Sequence, residues 1–526
     1  MYWSGDVFGV EGTTSRKSIL EQSTMECGIQ DFYKDKVVFL TGATGFLGKV
    51  IIEKLLRATD VKRIYAMARP KRNLDIQARF QAWQEDPLFE VLLKSKPLAL
   101  QRVSTIAGDC IEHDLGISIK DRQLLASEVQ IFIHGAATVR FNEPLSVALS
   151  INTRATKLML QLAKEMKHLE AFLHISSAFS NCPVFHIEER FYPELLSLDS
   201  EKILAMSEMV GPKIIDNMSS VLVGTFPNTY TYTKALAEDV ILREAGDLPL
   251  SVIRPAIIVA SYKEPVCGWI DNLYGPITLI YGVAHGVVRL FICNKKASCS
   301  VVPVDYCANM ALASIWKTAK KDTVRKLKDN PPIYTLAPSK TNLLSNPDFE
   351  MYTLSHRQDF PINNMIWYPF IHTVPKPWLY PIAAFFYHTI PGYIFDLILR
   401  LAGKKPRLVN IYRKIHINFA TIQHFLLHNW EFETNSVDKL RSLMSIEERQ
   451  MYNFDMKALD WKEYWKTALF GMRLYLGKEA PTKESLEAGR RLLKRLKLLH
   501  YGFVTVLLFV AGFLLWSLLK FIIGYY

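Results

Sequence analysis

The stretch "KDKVVFLTGATGFLGKVIIEKLLR" (34–57) predicts the fold of this chain. Its short apolar run at 37–40 is typical of a buried strand, and apolar residues at helical spacing follow a turn with three glycines. The next segment, "VKRIYAMAR" (61–69), adds a second apolar strand. A strand, a helix and a strand are thus completed in about thirty residues. They predict the first βαβ unit of a parallel sheet.

Further apolar runs indicate that this sheet continues along the chain. They are "VSTIAGD" (103–109), "VQIFIHGAA" (129–137), "LEAFLHISS" (169–177) and "LPLSVIRPAIIV" (248–259). Stretches of helical composition separate them, which is typical of a parallel sheet covered by helices on both faces. We predict an α/β, Rossmann-type doubly wound parallel sheet that closes near "SVVPVDYCANMALASIWKTA" (300–319).

Two linker-like segments predict a domain boundary after this sheet. One is the charged "KKDTVRKLKDNPP" (320–332), and the other is the Asn/Pro-rich "APSKTNLLSNPDF" (337–349). The aromatic region beyond them has few strand signals and is expected to be mostly helical. The predicted units are a poorly ordered lead-in at 1–30, a sheet domain at 31–345, a helical domain at 346–480, a basic amphipathic segment at 481–500 and a transmembrane helix at 501–519.

The segment "YGFVTVLLFVAGFLLWSLL" (501–519) carries no charge and approaches the ~20 residues that cross a bilayer. A buried core helix is the alternative, but little chain follows that could cover it. Five basic residues lie before this segment in "RRLLKRLK" (490–497), whereas one basic residue, Lys520, follows it. The positive-inside bias therefore predicts a single pass with the body of the protein in the cytosol. The endoplasmic reticulum is the expected membrane, with the peroxisome as the alternative.

A second apolar segment, "PWLYPIAAFFYHTIPGYIFDLILRLAG" (377–403), also has the length of a span. Asp396 and Pro391 argue against a span, because an acid at mid-membrane costs ~2.5–3.5 kcal/mol and proline interrupts a helix. We expect this segment to lie at the membrane surface or to line an apolar tunnel.

Composition excludes a disordered or fibrous protein, because 49% of the 526 residues are hydrophobic and 22% are charged. Lys and Arg exceed Asp and Glu by 63 − 51 = 12, which favours anionic partners. The sign of the charge does not choose among phosphate ligands, anionic lipid and nucleic acid. Seven scattered cysteines lack paired zinc-type spacing, so we predict reduced thiols and no metal site.

The glycine turn "TGATGFLG" (41–48) predicts a dinucleotide site. Absent side chains let a pyrophosphate approach the N–H groups at the start of the helix, although an ordinary glycine-rich turn is the alternative. The second strand ends in "RPKR" (69–72) without an acid, and a base there would pair with a 2′-phosphate. This favours NADPH over NADH, with a solvated basic loop as the alternative.

Two other strand ends carry candidate cofactor contacts. Asp109 follows the third strand, where it would meet the adenine amino group or serve as a simple turn aspartate. The fourth strand ends in "HGAATV" (134–139), whose small side chains would let the cofactor lie close to the sheet.

The helical segment "PNTYTYTKALAE" (227–238) places Tyr230 and Lys234 four residues apart, on one helix face. The strand-end segment "HISSAFSN" (174–181) would bring Ser177 to the same edge of the sheet. Lys234 would then lower the pKa of Tyr230 from ~10, so that the phenol acts as an acid near neutral pH while Ser177 holds the substrate oxygen. A surface tyrosine beside a solvated lysine is the alternative.

The glycine turn, the Tyr-x3-Lys pair and the strand-end serine resemble the extended short-chain dehydrogenase/reductase family. The chain is more closely similar to the eukaryotic fatty acyl-CoA reductases, especially those of insects, and the likeness covers nearly all of it beyond residue 30. The motifs that carry it are "HGAATVRFNEPL" (134–145), "INTRAT" (151–156), "PNTYTYTKALAE" (227–238), "VIRPAII" (252–258), "GWIDNLYGP" (268–276) and "VPVDYCANM" (302–310).

The resemblance implies the site residues by matching position. It assigns catalysis to Tyr230, Lys234 and Ser177. Relatives often have threonine where Ser177 stands, and Ser176 is the adjacent alternative. The implied cofactor residues are Thr41, Gly42, Thr44, Gly45, Phe46, Leu47, Gly48, Arg69, Asp109, Ala136, Lys234 and Pro255.

The resemblance also implies an activity: reduction of a long-chain or very-long-chain fatty acyl-CoA to a primary alcohol and free CoA by two NADPH, through a bound aldehyde. The interval 182–226 is then an insertion that covers the acyl entrance. The implied partners are the acyl-CoA and a lipid bilayer, without nucleic acid, and no oligomeric state is predicted. Two alternatives stay open: a sterol or sugar-nucleotide dehydrogenase or epimerase, and a non-catalytic, membrane-tethered NADPH-binding protein.

Overall fold

A computed structural model of the protein describes residues 28–69, 76–320 and 330–524. Within them, the central feature is one parallel sheet of seven strands in the order β7-β6-β5-β4-β1-β2-β3. The strands are β1 Val37–Thr41, β2 Arg63–Ala68, β3 Val103–Ala107, β4 Ile131–His134, β5 Ala171–Ile175, β6 Leu250–Pro255 and β7 Ile333–Leu336. The predicted doubly wound α/β fold is confirmed. Most of the predicted lead-in and the basic residues Lys71 and Arg72 lie outside the described residues.

The strand order reverses between β1 and β4, and ligands of such sheets bind in the crevice at that point. In register, Thr41 of β1 lies beside His134 of β4, and His134 lies beside His174 of β5. The carboxyl ends of these three strands are therefore level. Every residue of β1 and β6 is buried, as expected for strands covered on both faces.

Helices connect the strands of the sheet. A helix at Phe46–Ala58 follows the glycine turn, and the tyrosine helix, Thr229–Glu244, precedes β6. A π-helical turn, Leu149–Arg154, links two of the others. The other α-helices in this half are Ile29–Tyr33, Ile76–Gln81, Glu90–Ser95, Ile119–Glu128, Leu145–Ala148, Ala155–Glu165, Ser200–Val210, Pro212–Asn217, Ser219–Val223, Pro276–Ala284 and Val304–Ala319.

The sheet extends one strand further than the sequence predicts. The expected end of the sheet at 300–319 is a short strand, Val301–Pro303, followed by a helix, Val304–Ala319. The last strand, β7, lies beyond the charged segment and pairs in parallel with β6. Its four residues lie between the two linker-like segments, and the sequence around them therefore predicts no strand.

The chain after β7 is mostly helical, as predicted. Its α-helices are Asn346–Ser355, Leu379–Ala384, Ile390–Leu401, Leu408–Leu427, Asn435–Ser442, Ile446–Met451, Trp461–Gly471 and Lys483–Gly524. Short strands at His372–Val374 and Glu431–Phe432 pair with Leu290–Ile292 and His186–Ile187 of the first half.

The two halves share a core. The Tyr464 hydroxyl donates a hydrogen bond to the carbonyl oxygen of Ala260 at 2.9 Å, and the Trp430 indole donates one to the carbonyl oxygen of Cys182 at 3.2 Å. The helical region therefore packs directly on the sheet region, and the boundary at 345 stays a prediction.

In the described part of the chain, two helical segments are long and apolar enough to cross a membrane, Leu379–Leu401 and the terminal helix, Lys483–Gly524. The Trp367 ring contacts Phe395 of the first segment and Phe503 of the second, with ring centroids 6.1 and 6.2 Å apart. Both apolar segments therefore lie at the same end of the molecule.

Asp396, the acid inside the first segment, does not face an apolar medium. Its carboxylate accepts the backbone N–H groups of Arg407, Leu408 and Val409 at 2.8–3.0 Å. It thereby caps the helix Leu408–Leu427, whose N-terminus stabilises a negative charge. The segment and this helix form a hairpin, and large apolar side chains such as Phe386 stay exposed on it.

Candidate active site

The glycine turn lies between β1 and the helix Phe46–Ala58. Gly42 has a φ of +74°, and a Cβ atom on it would lie 2.7 Å from the backbone of Gly135. A side chain on Gly48 would overlap the carbonyl oxygen of Gly42. Gly45 precedes the helix and has no side chain to cap it. The first N–H groups of the helix therefore suit an anion, and the turn fits a pyrophosphate.

The end of β4 packs against the end of β1 through one hydroxyl. The Thr41 hydroxyl lies 2.8 Å from His134 Nδ1 and accepts the backbone N–H of Ala136 at 3.2 Å. Burial, helped by the nearby Lys234 ammonium, lowers the pKa of His134 to about 3, so the ring is neutral. Its other nitrogen, Nε2, can then donate to the Thr156 hydroxyl, 3.2 Å away.

The other predicted cofactor residues lie at the same edge of the sheet as the turn. Thr44 is part of it, and Phe46 and Leu47 begin the helix. The Phe46 ring stacks on Trp269 of the "GWIDNLYGP" motif, with centroids 5.3 Å apart. Pro255 ends β6, and its carbonyl oxygen accepts the N–H of Ala178 just after β5.

Arg69 and Asp109 lie on the other side of the turn, after β2 and β3. The Arg69 guanidinium is exposed and lies 4.0 Å from the Asp109 carboxylate. Asp109 also accepts the backbone N–H of Ile111 at 3.1 Å, which is a turn contact. The structure thus shows the turn contact of Asp109, and its contact with adenine stays a prediction. Arg69 follows β2, and its pairing with a 2′-phosphate also stays a prediction.

Ser177 and Tyr230 meet at the carboxyl end of β5. Asn228 starts the tyrosine helix, since its side chain accepts the N–H of Thr231 at 2.9 Å, and Tyr230 therefore stands in the first turn. The phenol lies near the Ser177 hydroxyl, which acts to lower the pKa of Tyr230. The Tyr230 ring stacks on Phe141, with centroids 5.8 Å apart.

Ser176, the alternative hydroxyl, points elsewhere. Its Oγ donates to the carboxylate of Glu238 at 2.5 Å in the interior. Successive side chains of an extended segment face opposite sides, and here Ser177 faces the tyrosine. The geometry favours Ser177.

Lys234 lies one turn after Tyr230 and is buried. Its ammonium donates to the carbonyl oxygen of Ile175, the last residue of β5, at 2.7 Å. Burial lowers the pKa of Lys234 to about 8, although the Glu238 carboxylate opposes this. The neutral rings of His134 and His174 lie near it, and the charge of Lys234 helps to lower the pKa of both.

The predicted effect of Lys234 on Tyr230 is wrong in this structure. Burial raises the pKa of Tyr230 above its usual value, and the nearby Ser177 hydroxyl lowers it only in part. The reason is burial: the phenol lies among apolar rings such as Phe141, and the loss of solvent disfavours the phenolate. A phenol that stays protonated at neutral pH can still donate a proton.

A buried ion pair supports this site, and the sequence did not reveal it. The Glu238 carboxylate and the Arg254 guanidinium lie 2.6 Å apart, and both side chains are almost fully buried. Glu238 also accepts hydrogen bonds from Ser176, Ser180 and Asn181, which follow β5. The pair thus fixes the loop that presents Ser177 against the tyrosine helix.

Asn152 is a second residue that sequence reasoning missed. It lies in the π-helical turn within the "INTRAT" motif. Its amide oxygen accepts the backbone N–H of Thr138 at 2.9 Å, and its amide nitrogen donates to the carbonyl oxygen of Thr138 at 3.2 Å. It also donates to the Thr233 hydroxyl of the tyrosine helix at 2.9 Å. Asn152 therefore joins the end of β4 to the helix that carries Tyr230.

The predicted insertion at 182–226 packs on the tyrosine helix. Ile203, Ile215 and Leu222 from its helices share a buried cluster with Tyr232 and Leu236. It therefore borders the site, and its role as cover of an acyl entrance stays a prediction. Among the described residues there is no group of side chains that could hold a metal ion.

Comparisons with known proteins identify the family. A family model described as "Male sterility protein", of the NAD-binding type, matches residues 40–311, and a second model of the same description matches 387–479. The chain is 38% identical to "Fatty acyl-CoA reductase wat" of Drosophila melanogaster over 97% of both chains. It is 35% identical to "Fatty acyl-CoA reductase 2" of Mus musculus over 93% of both chains.

Solved structures share the fold at low identity. The terminal R domain of the myxalamid PKS-NRPS biosynthetic pathway matches with a TM-score of 0.54 and 16% identity, over 84% of this chain and 92% of that chain. The reductase domain of a nonribosomal peptide synthetase from Mycobacterium tuberculosis matches with a TM-score of 0.52 and 18% identity, over the same shares. With close relatives along nearly its whole length, this chain belongs to the fatty acyl-CoA reductase family.

Proposed function

We propose that this protein reduces long-chain or very-long-chain fatty acyl-CoA to a primary fatty alcohol and free CoA, using NADPH, through an aldehyde that stays bound. The observation that carries the proposal is that the helix of Tyr230 and Lys234 meets the end of β5, just before Ser177, at the sheet edge that also holds the glycine turn. The names of the relatives, which align along nearly the whole chain, support the acyl-CoA substrate.

The site residues have separate roles in this reaction. The Tyr230 phenol donates a hydrogen bond, and then a proton, to the oxygen on which charge develops as the thioester carbonyl is reduced. The Ser177 hydroxyl binds the same oxygen. Lys234 holds the end of β5 through the Ile175 carbonyl, and so keeps the tyrosine helix against the strand end that carries Ser177. The same groups can act again on the aldehyde.

The cofactor site suits a dinucleotide. Gly42, Gly45 and Gly48 leave room for a pyrophosphate at the helix start, and Arg69 supplies the charge that selects a 2′-phosphate. When bound, the nicotinamide supplies the hydride.

The full chain in detergent with NADPH and palmitoyl-CoA tests this function. We expect free thiol and hexadecanol in equal amounts, with twice as much NADPH consumed and little free aldehyde. Sterols and sugar nucleotides should support no turnover. Thiol release without alcohol would contradict the alcohol-forming step, and turnover on a sugar nucleotide alone would establish the alternative class.

Changing Arg69 to alanine tests the choice of cofactor. We expect the KM for NADPH to rise by about tenfold or more while that for NADH changes little, because a charge-assisted hydrogen bond contributes about 1.5–3 kcal/mol. Steady-state kinetics with each cofactor measure this. Arg63→Ala, at the opposite end of β2, is the matched control and should alter neither constant. An equal rise for both cofactors would refute the 2′-phosphate role.

We also propose that the terminal helix anchors the protein in a membrane with its catalytic region in the cytosol. The apolar side chains at 503–523 are exposed, and five basic residues precede them at 490–497. The endoplasmic reticulum is the proposed membrane. The exposed apolar face of the segment Leu379–Leu401 would then rest against the same bilayer.

Deleting residues 501–526 tests the anchor. We expect the truncated protein to be extracted from membranes by carbonate or high salt, whereas the full chain resists both, because the span supplies the main apolar contact. Sedimentation with vesicles measures the bound fraction. If the truncated protein resists extraction by carbonate, the segment Leu379–Leu401, and not the terminal helix, is the main membrane anchor.

A further inference from the structure

An open groove lies between the helix Leu408–Leu427 and the helix Pro276–Ala284. Its volume is about 310 Å³, within the range of ligand pockets, and apolar atoms form almost all of its surface. The side chains that line the groove include those of Leu279, Val288, Ile411, Ile415 and Phe419.

One face of the helix Leu408–Leu427 leads from this groove to the candidate active site. Ile411, Ile415, Ile422 and Phe425 are spaced by four, seven and three residues, so they lie on the same side of the helix. The Phe425 ring contacts Phe141, with centroids 5.5 Å apart. Because Phe141 stacks on the catalytic tyrosine, the apolar face is continuous with the site.

We propose that this groove holds the acyl chain of the substrate, with the carbonyl at Tyr230 and the methyl end toward Ile411. The proposal rests on the proposed function and assigns a place to the substrate's apolar part. Phe425 and Ile411 are fourteen residues apart, which is about 21 Å along the helix. That length suits a long-chain acyl group.

The surroundings of the groove favour a lipid chain as its occupant. Its described lining contains no Asp, Glu, Lys or Arg side chain, so it offers no ion-pair partner to a peptide. Its Ile411 end lies near the start of the helix Leu408–Leu427, where the backbone N–H groups of Leu408 and Val409 bind Asp396 of the apolar segment. The apolar face of the helix thus leads from the groove to the reacting groups in one direction, through Phe425 and Phe141, and to the exposed apolar segment in the other.

A series of identical substitutions tests the groove. Ile422→Trp, Ile415→Trp and Ile411→Trp place the same bulk at increasing distance from Tyr230. We expect each substitution to shorten the longest acyl chain that the protein accepts. The shortening should be largest for Ile422→Trp, intermediate for Ile415→Trp and smallest for Ile411→Trp. The measurement is the rate on a ladder from octanoyl-CoA to very-long-chain acyl-CoA, with products identified by chromatography. For Ile415→Trp, the rate on stearoyl-CoA relative to octanoyl-CoA should fall at least about tenfold.

Ile417→Trp is the matched control. Ile417 lies on the same helix, is 52% exposed and is not part of the groove. Its chain-length profile should equal that of the unmodified protein. Equal profiles for Ile417→Trp and Ile415→Trp, or a cut-off independent of position, would overturn the groove. Failure of the unmodified protein to reduce any acyl-CoA would instead refute the proposed function, so the two failures differ.

Melting temperature and NADPH affinity of each variant check the fold. If a variant melts at a lower temperature and also binds NADPH more weakly, we replace it by Ile→Phe at the same position, which adds less bulk. The order of the cut-offs is again the deciding result.

Discussion

Replacing Tyr230 with phenylalanine is expected to lower the rate of alcohol formation by about 10²–10⁴-fold. The change removes the phenol oxygen that would donate to the developing charge, and pre-positioned donors of this kind supply a large part of catalysis. The ring keeps its stacking on Phe141, so the fold should not change. NADPH should therefore bind with nearly the same Kd.

Single-turnover rates with saturating NADPH and palmitoyl-CoA measure this effect, and cofactor fluorescence measures binding. Tyr232→Phe is the matched control, because Tyr232 is buried on the same helix and its hydroxyl has no hydrogen-bond partner among the described residues. It should retain full turnover. Equal loss of turnover in both variants, or loss of NADPH binding in Tyr230→Phe, would refute the catalytic role.

Changing Glu238 to leucine is expected to lower the free energy of unfolding by about 3–5 kcal/mol. Arg254 is fully buried, and its guanidinium would keep two backbone carbonyls, of Glu188 and Arg190, but lose the carboxylate that neutralises it. Ser176 would also lose its partner. An uncompensated buried charge is the main reason for so large a loss.

Urea denaturation of the detergent-solubilised chain, followed by tryptophan fluorescence, measures the change. Adding Arg254→Met to Glu238→Leu should recover much of the stability, since an apolar pair of similar volume tolerates burial. Glu244→Ala is the control on the same helix, because its ion pair with Lys157 is partly exposed and should contribute under about 1 kcal/mol. If Glu238→Leu and Glu244→Ala lower the free energy of unfolding by the same amount, the buried Glu238–Arg254 pair stabilises the fold no more than the partly exposed pair does.

The sequence predicted those parts of the fold that depend on local pattern. A buried strand, a glycine turn and an amphipathic helix follow each other at 37–58, and each has its own signal. Strand β7 was missed because its four residues pair with β6, about eighty residues earlier in the chain. Such a short apolar run becomes a strand only through that distant partner, so its neighbours in sequence do not reveal it.

The candidate site was predictable where spacing alone brings residues together. Tyr230 and Lys234 share a face because the segment is helical, and the strand-end rule brings Ser177 to them. The choice of Ser177 over Ser176 depends on Glu238, which lies about sixty residues further along. The prediction for the pKa of Tyr230 is wrong because burial, which only the folded chain supplies, raises it.

The terminal helix has a mechanical consequence. It runs unbroken for 42 residues, about 63 Å, whereas the hydrocarbon core of a bilayer is only ~30 Å thick. The remainder is clamped to the body, since Leu493 and Leu496 pack against Ile362 and Met365. If the helix crosses a membrane as proposed, its apolar part and the body of the protein move as one unit, and the protein diffuses laterally in the plane of the membrane. Encounters with substrate then become a search in two dimensions rather than three.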